Sequence, residues 1–172
     1  MYKLFSKALN TSLVAISLAA VFTLPSYAEK FDLSKEVSID SSRQAADLKN
    51  KIFSYIDNVV ITQGTLIIKA DLVQVITDIK TGQKTYLAKG SPATFSQILD
   101  DGSPINLQAD EIKYQPAQNI VVISGNAELR QEGSKVSGST ITYNFVTEQA
   151  NADSDANERV KTVLQPNALD KK

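Results

Sequence analysis

The chain has no cysteine and no histidine. Each absence removes a class of chemistry. Without cysteine no disulfide can brace the fold, so the domain must hold itself together by its core. Without cysteine or histidine, most zinc and transition-metal sites are excluded. So are Ser-His-Asp and Cys-His catalysis, and with them the commonest general base near neutral pH. Charge of one sign is scarce too: 18 Lys+Arg face 19 Asp+Glu, and no clustered basic face of the kind that binds nucleic acid is present. Long apolar runs are limited to residues 13–24, interrupted by Ser17 and Thr23. That run is short of the ~20 residues a bilayer-spanning helix needs.

The flanks of this run give it a meaning. Lys3 and Lys7 make a basic start with no acidic residue, and Pro25 then precedes Ser26-Tyr27-Ala28. A basic start, a short apolar stretch and small residues at the cleavage positions make a secretory signal peptide. Residues 1–28 are therefore expected to be removed after Ala28, leaving 144 residues with 16 basic and 19 acidic side chains. That length suits one domain, spanning 29–165, followed by a polar tail at 166–172.

What is present is β-structure almost throughout. Short β-branched or aromatic segments fall at 37–40, 52–62, 65–76, 85–88, 93–98, 105–109, 112–115, 120–124, 127–130, 135–137, 141–146 and 160–164. Turn residues punctuate them, among them Gln63-Gly64, Thr81-Gly82, Gly90-Ser91-Pro92, Asp101-Gly102, Gly125-Asn126 and Glu132-Gly133. Many short strands at near-regular spacing predict an antiparallel sandwich, barrel or roll. Residues 151–157 are polar and acidic and read as a loop.

An internal repeat is the most informative feature. The pattern apolar-x-small-polar, then apolar residues in a new phase, occurs at Ile68-Lys69-Ala70-Asp71-Leu72-Val73. It returns at Leu107-Gln108-Ala109-Asp110-Glu111-Ile112 and at Val136-Ser137-Gly138-Ser139-Thr140-Ile141, with a weaker copy from Ile39 to Ala46. The copies from Ile39 and Leu107 are 68 residues apart, as are those from Ile68 and Val136. The same offset lays Ile52 on Ile120, Asn58 on Asn126, Val59 on Ala127 and Gln63 on Gln131.

Within each copy the apolar positions step by three residues. A plain strand alternates faces with period two, so an odd step requires a bend or bulge if the apolar side is to stay inward. Ala70, Ala109 and Gly138 are small enough for a tight corner, with Asp71 and Asp110 available for local backbone hydrogen bonds. The repeat therefore reads strand, corner, strand, turn. Stacked units of this kind build an elongated roll, each burying its face against its neighbours. Phase places Ile39, Ile68, Ile112 and Ile141 on the inward face. The same inward residues would serve a packed core or an open groove, and both alternatives stand at this point.

Asp71, Asp110 and Glu111 are the carboxylates to weigh for glycoside hydrolysis. Asp71 and Asp110 occupy equivalent repeat positions, which points to a structural corner. Asp153 and Asp155 lack the fuller set of oxygen ligands a calcium site needs. Gly90-Ser91-Pro92 is a turn, with neither the helix nor the lysine of a phosphate-binding loop. No enzyme, metal or cofactor is expected.

The segments Asn58-Val59-Val60-Ile61-Thr62-Gln63-Gly64-Thr65-Leu66-Ile67-Ile68-Lys69-Ala70-Asp71, Lys89-Gly90-Ser91-Pro92-Ala93-Thr94-Phe95, Gly125-Asn126-Ala127-Glu128-Leu129 and Arg159-Val160-Lys161-Thr162-Val163-Leu164 resemble the OstA-like (LptA) family of lipopolysaccharide-transport domains. The match covers nearly all of residues 29–165 in order. The resemblance implies an all-β fold, a twisted, slightly open antiparallel β-jellyroll built from internally repeated strand pairs. It implies a periplasmic location and lipopolysaccharide bound through its acyl chains in a hydrophobic groove. It also implies head-to-tail self-association into a bridge. An inner-membrane bitopic, LptC-like jellyroll would sit at the N-terminal edge and an outer-membrane, LptD-like translocon at the C-terminal edge. Leu33, Val37, Phe95, Tyr114 and Pro116 are the groove or junction positions it points to, with Ile39, Ile68, Ile112 and Ile141 added from phase. Val37 and Ile39 would form one pairing edge, Val160 and Val163 the other. On this reading Phe95 and Tyr114 face lipid and Lys84 does not. A structural filament module without lipid cargo is the alternative.

Overall fold

The computed structural model describes residues 35–155 and 158–166. The expected signal peptide, Leu33 and the tail beyond Pro166 lie outside the described residues. The strands are β1 (Ser38–Asp40), β2 (Arg43–Asp47), β3 (Ile52–Gln63), β4 (Leu66–Thr77), β5 (Lys84–Ile98), β6 (Pro104–Gln115), β7 (Ile120–Gln131), β8 (Ser134–Asn144), β9 (Gln149–Asp153) and β10 (Lys161–Val163). A 3-10 turn, Pro116–Gln118, joins β6 to β7. From β3 to β8 each strand pairs antiparallel with the next, while β1 and β2 both pair with β3, and β9 and β10 both pair with β8.

Every long strand bends once, and the bends line up. In β4 the buried residues run Leu66, Ile68, Ala70 and then Val73, Val75; in β6 they run Ile105, Leu107, Ala109 and then Ile112, Tyr114. The three-residue step expected from sequence is the corner itself. Neighbouring strands absorb it differently. β3 and β7 each place two consecutive residues in the left-handed region, Asp57-Asn58 and Gly125-Asn126, and β5 turns through residues 90–92. The ladder slips at every corner; between β3 and β4, for example, Ile56 pairs with Leu72 and Val59 with Ala70.

The 68-residue repeat reappears as repeated contacts. The Asn126 side-chain amide donates to Asp110 Oδ2 at 2.9 Å. Sixty-eight residues earlier, the Asn58 amide donates to Ser42 Oγ at 3.5 Å. Asp110 thus serves the corner, though through a side-chain amide and not through the backbone as its sequence position suggested.

The bends fold one sheet into two facing layers. The first holds β1, the C-terminal halves of β3, β5 and β7, the N-terminal halves of β4, β6 and β8, and β10. The second holds β2, the complementary halves and β9. Their inward faces form one apolar cluster. The layers meet directly: the rings of Phe95 (first layer) and Tyr114 (second layer) lie 5.4 Å apart, edge to face.

Three expectations need correction. Residues 151–157 were expected as a loop, yet β9 pairs Gln149–Asp153 with Asn144–Thr140. β2 was not expected as a strand, yet it pairs with Ile52–Ile56. Both are edge segments whose residues are nearly all exposed, so neither shows the alternation that marks a strand in sequence. The segments expected as separate strands at 85–88 and 93–98, 105–109 and 112–115, 120–124 and 127–130, and 135–137 and 141–146 are joined across their corners in β5, β6, β7 and β8.

Small residues at the corners answer to close approach. A Cβ on Gly138 would lie 2.7 Å from the Asp153 carbonyl oxygen. Gly125, at φ +74°, would bring a Cβ within 2.6 Å of Asp110 Oδ2. Gly125→Ala therefore combines left-handed strain with a clash and should cost about 1–3 kcal/mol, read as a lower urea midpoint. Adding Asp110→Ala takes away the carboxyl but leaves a Cβ at 3.0 Å and the left-handed strain, so it should restore only part of the loss.

Candidate functional site

Alternation along each half-strand sends one row of side chains inward, and the rows of both layers meet at the centre of the roll. Phe95 and Ile112 are 0% exposed, Tyr114, Ile68 and Ile141 1%. These five of the sequence candidates are therefore packed into the interior of the isolated chain. Phe95 stacks on Phe145 at 5.5 Å, and Phe145 meets Tyr143 edge to face at 5.0 Å. Tyr86 reaches Tyr114 at 6.0 Å. Such contacts add about 0.5–1.5 kcal/mol each to the area they bury, so this cluster is a strong clasp between the layers.

The interior loosens toward both sheet edges. At the N-terminal edge Val37, Ile39, Phe53 and Tyr55 are only partly buried against the core; at the C-terminal edge Val136, Phe145 and Ala152 are. A cavity of about 430 Å³ opens at the N-terminal end, lined by Val37, Ile39, Gln44, Phe53, Tyr55, Val75, Thr77, Lys84 and Tyr86. Val37 and Ile39 thus lie in this mouth. Lys84, expected to stand away from the interior, also lines it. The reason is phase: Lys84, Tyr86 and Ala88 are alternate residues of β5, and the latter two are buried. The rows 73, 75, 77 and 84, 86, 88 carried that signal in the sequence. Pro116, half-buried, opens the 3-10 turn between β6 and β7.

Among the described residues nothing covers the two ends of the sheet. β1 and β10 end the strand order. Ile39 pairs with Ile61 on one side, and Val163 with Lys135. Val160 and Val163 are exposed, Val160 lying just before β10. A terminal strand presents a row of backbone donors and acceptors that another chain can complete.

The polar candidates take structural places. Glu111 pairs with Lys89 at 3.0 Å. Asp71 is exposed at its corner, and the Asp155 N–H donates to Ser139 Oγ. Among the described residues no group of three or more His, Cys, Asp or Glu could hold a metal ion. On the outer face of the first layer Glu128 binds Arg130 and, at 3.0 Å, Lys135. Its burial works to raise the carboxyl, and the two cations more than offset that, holding it below the usual range.

Interior tyrosines report the dryness of the site. Burial, with Tyr86 adding to it, pushes the Tyr114 hydroxyl far above its ordinary value. Burial pushes Tyr143 up to about 12, helped by the negative charges of Glu148 and Asp101. Such a group keeps its proton in the fold after the unfolded chain has lost it. Its contribution is therefore full below about pH 10 and declines as pH rises toward 12. The Tyr143 hydroxyl also meets no hydrogen-bond partner among the described residues, and a buried polar group left so costs stability. Tyr143→Phe should leave the protein at least as stable at pH 7 and flatten its loss of stability above about pH 10, measured by denaturant titration across pH.

These features define an antiparallel β-jellyroll with an apolar interior and two open sheet edges, the design of a binding module. The chain belongs to the family described as LptA/(LptD N-terminal domain) LPS transport protein, which matches residues 38–149. The lipopolysaccharide export system protein LptA of Haemophilus influenzae is 34% identical over 165 residues, covering 95% of this chain and 96% of that one. The protein of the same name from Escherichia coli K12 is 35% identical over 165 residues, covering 95% and 89%. A crystal structure of LptH, described as the LptA homologous periplasmic component of the conserved lipopolysaccharide transport device from Pseudomonas aeruginosa, matches with a TM-score of 0.71. It is 26% identical, and the match covers 77% of this chain and 97% of that one.

Proposed function

We propose that the chain works in the periplasm, after loss of residues 1–28, and binds lipopolysaccharide through its acyl chains between the two layers. Copies joined head to tail would carry the lipid from an inner-membrane complex to an outer-membrane translocon, by binding and without catalysis. The observation behind this reading is an apolar interior that runs from one bare sheet edge to the other. A second copy set edge to edge would extend both layers and the interior together, as strand addition does elsewhere. Such a contact is heterologous and can repeat. In this arrangement β1 faces an LptC-like jellyroll or the preceding copy, and β10 faces the next copy or an LptD-like translocon.

Energetics favour a shielded path. Each exposed methylene costs about 0.8 kcal/mol in water, so a lipid with several acyl chains needs cover between membranes. Phe95, Tyr114, Ile68, Ile112 and Ile141 would line the path, and Val37 and Ile39 its entrance. Their close packing requires the layers to part as lipid enters. That same packing favours the second reading, a filament module with a filled core and no cargo.

Neighbouring residues on opposite faces separate the two. A photo-crosslinker at Tyr114, which points inward, should capture lipopolysaccharide in cells, while one at Lys113, on the outer face, should not. Equal labelling at both positions, or none at Tyr114, would contradict the lipid reading.

A further inference from the structure

Two adjacent hairpin tips of the second layer share an unusual composition. The tip between β2 and β3 reads Asp47-Leu48-Lys49-Asn50-Lys51, and the tip between β4 and β5 reads Asp78-Ile79-Lys80-Thr81-Gly82-Gln83-Lys84. Leu48 is 68% exposed and Ile79 74%. Each tip thus offers one bare aliphatic side chain beside two lysines. The tips lie side by side: the Thr77 N–H donates to the Lys51 carbonyl at 3.0 Å, and Thr77 pairs with Lys84.

The aspartates there are occupied by their own turns. Asp47 accepts from the backbone N–H of Lys49 and of Asn50 and from the Asn50 side chain. Asp78 accepts from the backbone N–H of Lys80 and of Thr81 and from the Thr81 hydroxyl. Both carboxyls are held below the usual range, by the Asn50 amide first and by the Thr81 N–H first. None of the four lysines forms an ion pair among the described residues. The next tip along this layer, Pro116–Gln118, carries no charge. The tip between β8 and β9 carries exposed Val146 but with Glu148 and no lysine. Among the tips of this layer, exposed aliphatic side chains beside lysines therefore occur only at the two next to the N-terminal mouth, which Lys84 also lines.

We propose that these two tips dock on an anionic lipid bilayer surface, Leu48 and Ile79 entering the headgroup layer and Lys49, Lys51, Lys80 and Lys84 facing lipid phosphates. Apolar side chains flanked by lysines are what an interfacial anchor requires. A lysine near an anionic surface strengthens binding about fivefold, so four together act strongly only where phosphate density is high. Two aliphatic side chains add a shallow, reversible hold. Docked this way, the mouth lies against the lipid, which gives an amphiphile a short path to the cavity. The docking itself does not require the cargo reading, and it can fail or hold separately from it.

Vesicle flotation with the mature protein, as purified from the periplasm, tests it. The protein should float with phosphatidylglycerol vesicles, lose that binding as salt is raised, and remain behind with phosphatidylcholine vesicles. Lys49→Gln, Lys51→Gln, Lys80→Gln and Lys84→Gln together should weaken binding by at least about a hundredfold. Leu48→Ser with Ile79→Ser should weaken it about tenfold or more and leave its salt dependence in place. These side chains are exposed, so the variants should fold, which circular dichroism checks. No flotation of the parent protein, equal binding to both vesicle types, or an unaffected lysine variant would overturn the proposal. So would a lysine variant that floats normally but no longer self-associates, since the patch would then be a protein interface.

Discussion

An apolar row that must stay inward along a bent strand sets the terms for the rest of the structure. Side chains on a strand alternate between faces, so a strand that crosses from one layer to the other must slip phase at the crossing or turn its apolar side to water. Here β4, β6 and β8 slip by three residues at Ala70, Ala109 and Gly138. β3 and β7 match them with paired left-handed residues. Because all the corners fall in register, the sheet formed by the ten described strands folds along a single line into two layers. The shared interior and the two bare edges both follow from that line.

The same geometry divides strong connections from weak ones. Ladder hydrogen bonds run within each layer and hold its strands side by side. Away from the corners, the layers are joined chiefly by packed side chains, with Phe95, Tyr114 and Phe145 at the centre. Parting the layers therefore breaks few backbone bonds and mainly exposes apolar area. Exposing one large apolar side chain costs about 1.5–3 kcal/mol, and each acyl methylene that replaces it regains about 0.8. An acyl chain can thus substitute for the packing it displaces. A closely packed centre in the isolated chain and lipid uptake are compatible on these terms.

Much of this was legible in the residues. The odd step between Ile68 and Val73, and its recurrence from Leu107 and Val136, marked the corners before any coordinates. The 68-residue offset laid Asn58 on Asn126, and the structure adds that their side-chain amides make related contacts. β2 and β9 were invisible because an exposed edge strand such as Gln149–Asp153 needs no apolar alternation; it is defined by its partner. Whether Phe95 and Tyr114 face a groove or a core was also out of reach, since phase gives a direction and not a distance between layers. Lys84, chosen as a position away from lipid, shares its phase with Tyr86 and lines the rim of the N-terminal mouth while staying exposed.

The central claim is that the layers part along the line of corners to admit lipid. The absence of cysteine makes it directly measurable, because introduced thiols are the only ones present. Spin labels at Ile98→Cys, at the end of the first layer away from the corners, and at Gln118→Cys, at the far tip of the second layer, both exposed, can be measured by double electron–electron resonance. The account predicts a distance distribution that shifts outward by several ångström when lipopolysaccharide is added and returns when it is removed. A distribution unchanged at saturating lipopolysaccharide would contradict it.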